Sequence, residues 1–129
     1  MATIKRFEDL EIWQEARRLS KEVIKLTKST DLKSDFKLRD QIKGSSGSVM
    51  DNIAEGLERD GNLEFRQFLS TAKGSAGESR SQLYRVFDND YISNEELQKL
   101  TSEYEVLSRR IANFMNYLNK KDNKGTKFK

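Results

Sequence analysis

Histidine, cysteine and proline are all missing from this chain of 129 residues, and each absence closes off part of the functional range. Without cysteine there is no disulfide and no thiolate for a zinc cluster. Without histidine there is no imidazole for acid/base or nucleophilic chemistry, and no Glu-x-x-His unit for a di-metal carboxylate bundle. The expectation is a protein that is not an enzyme and that uses no metal or other cofactor. No stretch approaches the ~20 consecutive apolar residues of a membrane span. The start, Met1-Ala2-Thr3-Ile4-Lys5-Arg6, lacks the apolar block of a secretory signal, so a cytoplasmic location is expected. Missing proline also removes the strongest helix breaker.

What is present is charge, and its distribution says more than its sum. Lys and Arg number 24 and Asp and Glu 21, a formal net charge of +3. From Asn119 onward Lys120, Lys121, Lys124, Lys127 and Lys129 stand against Asp122 alone, which leaves the rest of the chain close to neutral. Within that remainder, residues 1–43 hold 11 bases and 8 acids, whereas residues 44–118 hold 8 and 12. Attraction to polyanions is therefore expected on the first helix and in the tail. The length suits one domain around one core, burying roughly two-thirds of the unfolded surface. That domain is placed at residues 1–118, followed by a basic, disordered tail at 119–129.

Abundant Glu, Lys, Arg, Leu and Gln favour helix. Leu10, Trp13, Ala16, Leu19, Val23 and Leu26 recur three or four apart and predict a first helix from about Asp9 to Thr27, with Phe7 packing back on its start. Arg17, Lys21, Lys25 and Lys28 form a basic stripe on its other side. A solvated face with Glu15 and Glu22 mixed in is the plainer reading of that stripe, and a nucleic-acid surface the functional one. Ser29 to Asp35 carries turn and capping residues. Leu38, Ile42, Val49, Ile53 and Leu57 predict a second helix from about Phe36, provided that Ser45 and Ser46 fill a core position and that Gly44 to Ser48 stays helical. Each mid-helix glycine there costs about 1 kcal/mol relative to alanine.

Phe65, Phe68, Leu69, Ala72, Ala76, Ser79, Leu83 and Val86 predict a third helix starting after Gly61 or Asn62. Arg66, Lys73 and Arg80 recur along another of its faces, diluted by Glu64 and Glu78. Ser93 and Glu96 form a capping box, with Ile92 placed to staple onto Leu97. Leu97, Leu100, Tyr104, Leu107, Ile111, Phe114 and Leu118 then alternate three and four apart, the pattern of helices crossing at shallow angles. The expected fold is all-α, an antiparallel up-down-up-down four-helix bundle. Val106, Met115 and Tyr117 fall off that seam and, with Ile12 and Ile24, exceed the needs of one core, a hint of self-association. An antiparallel turn centred near Arg59 sets Gly44 to Ser48 opposite about Thr71 to Ser75, inside the small run Ser70, Thr71, Ala72, Gly74, Ser75, Ala76, Gly77. The glycines then read as a device for bringing two helices to the near end of the usual ~8–10 Å separation.

Several blocks in this order carry a family resemblance. They are Phe7-Glu8-Asp9-Leu10-Glu11-Ile12-Trp13-Gln14-Glu15-Ala16, Gln41-Ile42, Ser48 with Asn52-Ile53-Ala54-Glu55-Gly56, and Glu64-Phe65 with Phe68-Leu69. Ala72, Gly74-Ser75-Ala76, Glu78 and Gln82-Leu83 complete the set. Together they resemble the four-helix-bundle family encoded in intervening sequences of bacterial large-subunit ribosomal RNA genes, over about Phe7 to Leu118. The resemblance implies a cyclic homopentamer. It also implies kinship with the accessory proteins of diversity-generating retroelements, which work with a reverse transcriptase and nucleic acid through basic surfaces. Two departures stand out: Met50 occupies a position where the family often has proline, and Gly44 and Gly47 replace bulkier residues.

Asn52 and Glu55 share a face of the second helix, and Glu78 and Gln82 share one of the third. Paired carboxylates in a bundle would suit a di-metal site if histidine were present, or glycoside hydrolysis if there were a substrate cleft. The expected role is structural instead: Ser48, Asn52, Glu55, Gly56, Glu78 and Gln82 fix helix register and subunit contacts. A polyanion surface would combine Arg17, Arg18, Lys21, Lys25 and Lys28 with Lys120, Lys121 and Lys124. The aromatic residues sit at core spacing, which leaves no stacking platform for bases. The functional expectation is a non-enzymatic oligomer that binds or scaffolds RNA, DNA or a nucleic-acid enzyme. The alternative is a protein-interaction adaptor whose tail only aids solubility.

Overall fold

The computed structural model describes residues 4–127, with side chains as far as Lys121. A 3-10 turn at Phe7–Asp9 leads into α1 (Glu11–Ser29), and a second at Asp31–Ser34 leads into α2 (Phe36–Glu58). Then follow α3 (Asn62–Asp88) and α4 (Asn94–Lys127), and no strand occurs among the described residues. The antiparallel four-helix bundle is thus present. Helices adjacent in sequence are adjacent in space; α2 and α3 share the most extensive contact, and α1 closes the ring against α4 through a thinner one.

The first helix starts without a side-chain cap on its Leu10 N-cap residue. Its first turn is held instead by Gln14 Nε2 donating to the Glu8 carbonyl at 2.8 Å and by the Phe7 ring against Trp13, centroids 5.1 Å apart. All six residues of its apolar stripe are buried, and so is Ile12. Ile12 is therefore not surplus apolar surface: α1 contacts both α2 and α4, so its buried face is wider than one stripe. Thr30 Oγ1 then receives the Leu32 N–H at 3.2 Å, turning the chain and driving Leu32 fully into the core from a segment that reads as polar.

Asp35 caps α2 with one carboxylate oxygen, which accepts the Leu38 N–H at 3.4 Å. Its other oxygen accepts the Tyr91 hydroxyl at 3.0 Å, tying the α1–α2 connection to the α3–α4 loop. Both tight reversals that follow place an aspartate in the left-handed region, Asp60 at φ 60° and Asp90 at φ 63°. Aspartate tolerates this better than most non-glycine residues because its short side chain can bond locally. The capping box at α4 forms as expected, Glu96 N–H to Ser93 Oγ at 3.1 Å and Ser93 N–H to Glu96 Oε1 at 3.4 Å, and Ile92 and Leu97 are both buried.

Two expectations about local structure change. The helical backbone continues past Leu118 to Lys127 where a disordered tail is predicted, because extending a formed helix carries none of the nucleation cost. Beyond Leu118 the side chains described, Asn119 to Lys121, are all exposed, and those of Lys124 and Lys127 lie outside the described residues, as does Lys129. The second change concerns the glycines. A Cβ built on Gly44, Gly47, Gly74 or Gly77 meets nothing within 4 Å, so these four face outward and are not the packing device. Ser45 and Ser46 are buried in the unbroken α2, as its periodicity requires. The close approach belongs to Gly56, where a Cβ would lie 2.7 Å from Phe68 Cβ and 2.9 Å from the Phe65 ring.

These positions respond oppositely to one added methyl. Gly56→Ala has to displace α3 and is expected to cost about 1–3 kcal/mol as an overpacked site. Gly44→Ala, Gly47→Ala, Gly74→Ala and Gly77→Ala should each stabilise by up to about 1 kcal/mol through helix propensity. Urea unfolding followed by circular dichroism checks both signs.

Candidate nucleic-acid interface

The exposed face of α1 presents Arg17, Arg18, Lys21, Lys25 and Lys28. Positions four apart on a helix rise by ~6 Å, so Arg17, Lys21 and Lys25 make an evenly spaced row of cations along the axis. Acids interrupt it unequally. Arg18 bonds Glu15 at 3.0 Å and Glu103 of α4 at 3.3 Å. The Glu15 hydrogen bond does most to hold its guanidinium above the ordinary pKa, and Glu103 adds to this. Lys25 stands 4.0 Å from Glu22, the limit of an ion pair. The Arg17 guanidinium lies over the Trp13 ring, 5.7 Å from its centroid, a cation–π contact rather than an ion pair. Arg18 is thus a strut between α1 and α4 more than a member of the row. Lys120 and Lys121 are exposed at the far end of α4.

The six residues assigned to structure and assembly divide into an inner and an outer group. Inside, Ser48 Oγ pairs with Ser75 Oγ at 3.0 Å, Ser45 Oγ with Ser79 Oγ at 2.8 Å, and the Ser45 hydroxyl lies 2.6 Å from Gln82 Oε1, which accepts from it. Asn52 Nδ2 donates to the Ser48 carbonyl at 2.8 Å and to Ser48 Oγ at 2.9 Å, holding the row in place along α2. These pairs are symmetric about Gly61 and Asn62 rather than about Arg59. On α2 the contact face holds Ser45, Ser48 and Asn52, in phase with Ile42 and Val49, and Gly44 and Gly47 lie off it. Outside, Glu55 is exposed and paired with Arg59 at 2.9 Å, and Glu78 is exposed. Gly56 is buried under α3.

Among the described residues no group of acidic side chains is placed to hold a metal ion. The hydroxyls of the seam bond one another and the backbone, an arrangement that sets register and leaves no exposed nucleophile. The spacing of Tyr104 shows that it is a core residue but not that its hydroxyl sits in this seam. That group is buried with no partner at hydrogen-bonding geometry. Burial pushes its pKa far above the usual phenol range, and the nearby Ser79 hydroxyl acts the other way.

The sequence profile of the 23S rRNA-intervening sequence protein family matches residues 8–113. The chain belongs to that family. A comparison with curated proteins finds no match. Among solved structures it is similar to a protein of unknown function from the S23 ribosomal protein family of Bacteroides thetaiotaomicron, with a TM-score of 0.75 at 16% identity over 81% of this chain and 95% of that one. At that identity the likeness establishes the shared fold.

In this intervening-sequence family member the matched span holds the α1 row and the serine seam but stops short of Lys120 and Lys121. No helix among the described residues is long and apolar enough to cross a membrane. Two tyrosines, Tyr91 bonded to Asp35 and Tyr104 buried in the core, give the fold a dependence on alkaline pH. Tyr91 is raised by its hydrogen bond to Asp35 and Tyr104 by burial, so both hold their protons in the folded state longer than in the unfolded chain. Above pH about 10 the unfolded state therefore binds fewer protons than the folded one, and stability falls as pH rises. The urea midpoint is expected to fall steadily as pH rises above about 10, and to fall less in Tyr104→Phe. At neutral pH Tyr104→Phe should be neutral or stabilising because it removes a buried hydroxyl without a partner, whereas Ser45→Ala should cost about 1–2 kcal/mol by taking the donor from buried Gln82 Oε1, while Ser79 keeps its bond to the Ser75 carbonyl.

Proposed function

We propose that this protein is a non-enzymatic bundle that assembles as a cyclic homo-oligomer in the cytoplasm and binds structured RNA or DNA through phosphate contacts. The observation that carries this reading is the row on α1. Arg17, Lys21 and Lys28 project from an exposed face with no carboxylate within ion-pair distance among the described residues, in a body, residues 1–118, that is near neutral as a whole. Regular cations on a rigid helix suit a regular line of phosphates, and they carry no means of reading bases. Lys120 and Lys121 extend the cationic surface at one end. The exposed glycines of α2 and α3, with exposed Glu55 and Glu78, leave a low, polar face on which another subunit can seat.

A protein-interaction adaptor is the second reading. It is favoured by the acids that tie up Arg18 and Lys25.

Fluorescence anisotropy of a labelled structured RNA, titrated over a range of salt, tests the proposal. Binding should weaken linearly in log salt, and Arg17→Glu with Lys21→Glu should reduce the slope by about one for each phosphate no longer engaged. Lys120→Glu with Lys121→Glu separates the end of α4 from the α1 row. Loss of binding only in the latter pair would confine the contact to a nonspecific lysine cluster. No binding by any form turns the reading to the adaptor. Light scattering of the same samples gives the subunit number, and an unchanged mass on replacing Glu55 and Asn52 by Ala would remove those residues from assembly.

A further inference from the structure

Core spacing does not account for every aromatic ring. Phe36 opens α2 two residues before buried Leu38, a step of ~200° around the helix that carries its side chain to the opposite side. At 64% exposure it is the most exposed large apolar side chain among the described residues. The Arg39 guanidinium lies over one face of the ring, 4.8 Å from its centroid. Arg39 is held there from two directions: Nε donates to Asp40 Oδ1 at 2.9 Å and Nη1 to the Lys33 carbonyl at 3.1 Å. With one face covered and the ring still so exposed, the other face meets solvent.

The surroundings are cationic. Among residues 28–43, Asp40 is spent on Arg39, and Asp35 on the Leu38 N–H and the Tyr91 hydroxyl. That leaves Asp31 against exposed Lys28, Lys33, Lys37 and Lys43, none of which has a carboxylate within ion-pair distance among the described residues. The Asp31–Ser34 turn packs against both α1 and α2, so the α1 row, ending at Lys28, leads into this cluster. Ile4 and Lys121, where the described side chains begin and end, both lie beside Gly56 at the other end of α2, ~30 Å from Phe36 along the axis.

We propose that Phe36 is a stacking platform for one unpaired nucleobase, which takes the ring face opposite Arg39 while its flanking phosphates meet Lys33 and Lys37. The neighbours of the ring select this occupant. A nucleotide brings a flat aromatic face together with negative charge on both sides of it, and an exposed ring set between lysines accommodates both. An apolar segment of another protein, or of a second copy, would cover the ring but would take water from the lysines without supplying a partner. A fully paired strand keeps its bases inside the duplex. The inference rests on the nucleic-acid reading above and adds to it a preference for unpaired nucleotides where the α1 row ends, with no choice among bases, since each has a face to stack.

The probe is a labelled RNA hairpin with 5-iodouracil in its loop, compared with the same strand fully paired and titrated with the full chain. Anisotropy gives the affinities, and irradiation followed by mass spectrometry maps where the loop base cross-links. The hairpin should bind more tightly than the duplex and cross-link at Phe36. Phe36→Ala should weaken hairpin binding about tenfold and leave duplex affinity unchanged. Phe36→Tyr, which keeps the ring, should retain both affinity and cross-link, whereas Phe36→Leu, which keeps only the apolar surface, should behave as Phe36→Ala does. Circular dichroism confirms that each variant is folded. Equal binding of hairpin and duplex, hairpin affinity that survives Phe36→Ala, or a cross-link elsewhere overturns the platform and leaves the α1 reading standing. A change in mass by light scattering in Phe36→Ala also overturns it, by assigning the ring to a contact between copies. No anisotropy change with either probe overturns both readings.

Discussion

The molecule depends on how closely α2 and α3 approach. Over the middle of the bundle the two helices meet through serines, Ser48 with Ser75 and Ser45 with Ser79, whose hydroxyls are close enough to bond one another. Side chains of this size keep the backbones near, and the hydrogen bonds make that closeness specific, since a slip of one residue would bury hydroxyls without partners. At the turn end Gly56 continues the same contact against Phe65 and Phe68 with no Cβ at all. The apolar stripes of α1 and α4 then pack on either side of this pair. The Tyr91 to Asp35 hydrogen bond and the Arg18 to Glu103 ion pair join parts of the chain that the core alone would leave to drift.

This construction has a consequence for function. The hydroxyls of the α2–α3 seam are spent on one another and on the backbone, which leaves the outer faces of the helices to meet other molecules. The faces differ. The outer side of α1 carries a spaced row of cations, while α2 and α3 carry bare glycines and a few acids. At the end near the α2–α3 turn, Phe65, Phe114 and Tyr117 line a cleft together with Asp60 and Lys121. Phosphates are the partner proposed for the first of these faces and a second subunit the one proposed for the next.

Much of this was legible in the residues. The stripe of α1, the capping box of Ser93 and Glu96, and the alternation from Leu97 to Leu118 are local patterns with one physical interpretation, and each gives the helix it predicts. Even the continuity of α2 through Gly44 to Ser48 follows from periodicity resuming in phase on either side of it. The α1 row is legible for the same reason, because charges four apart must share a face. The outward position of Gly44, Gly47, Gly74 and Gly77 was not, because composition shows that small residues are present without showing which way they point.

The sequence by itself therefore determined the number and direction of the helices, the identity of nearly all core residues, and which helix would be basic. These depend on spacing along one chain, and spacing is written in the sequence. Tertiary structure alone decided the register of α2 against α3, and with it which serine of one helix meets which serine of the other. It also decided the burial of Ile12 and Leu32, the pairing of Arg18 with Glu103, and the gathering of Phe65, Phe114 and Tyr117 about a cleft at the bundle end. Each of these depends on the relative placement of two segments, where displacing a turn from Arg59 to Gly61 and Asn62 changes which residues face each other without altering any local pattern.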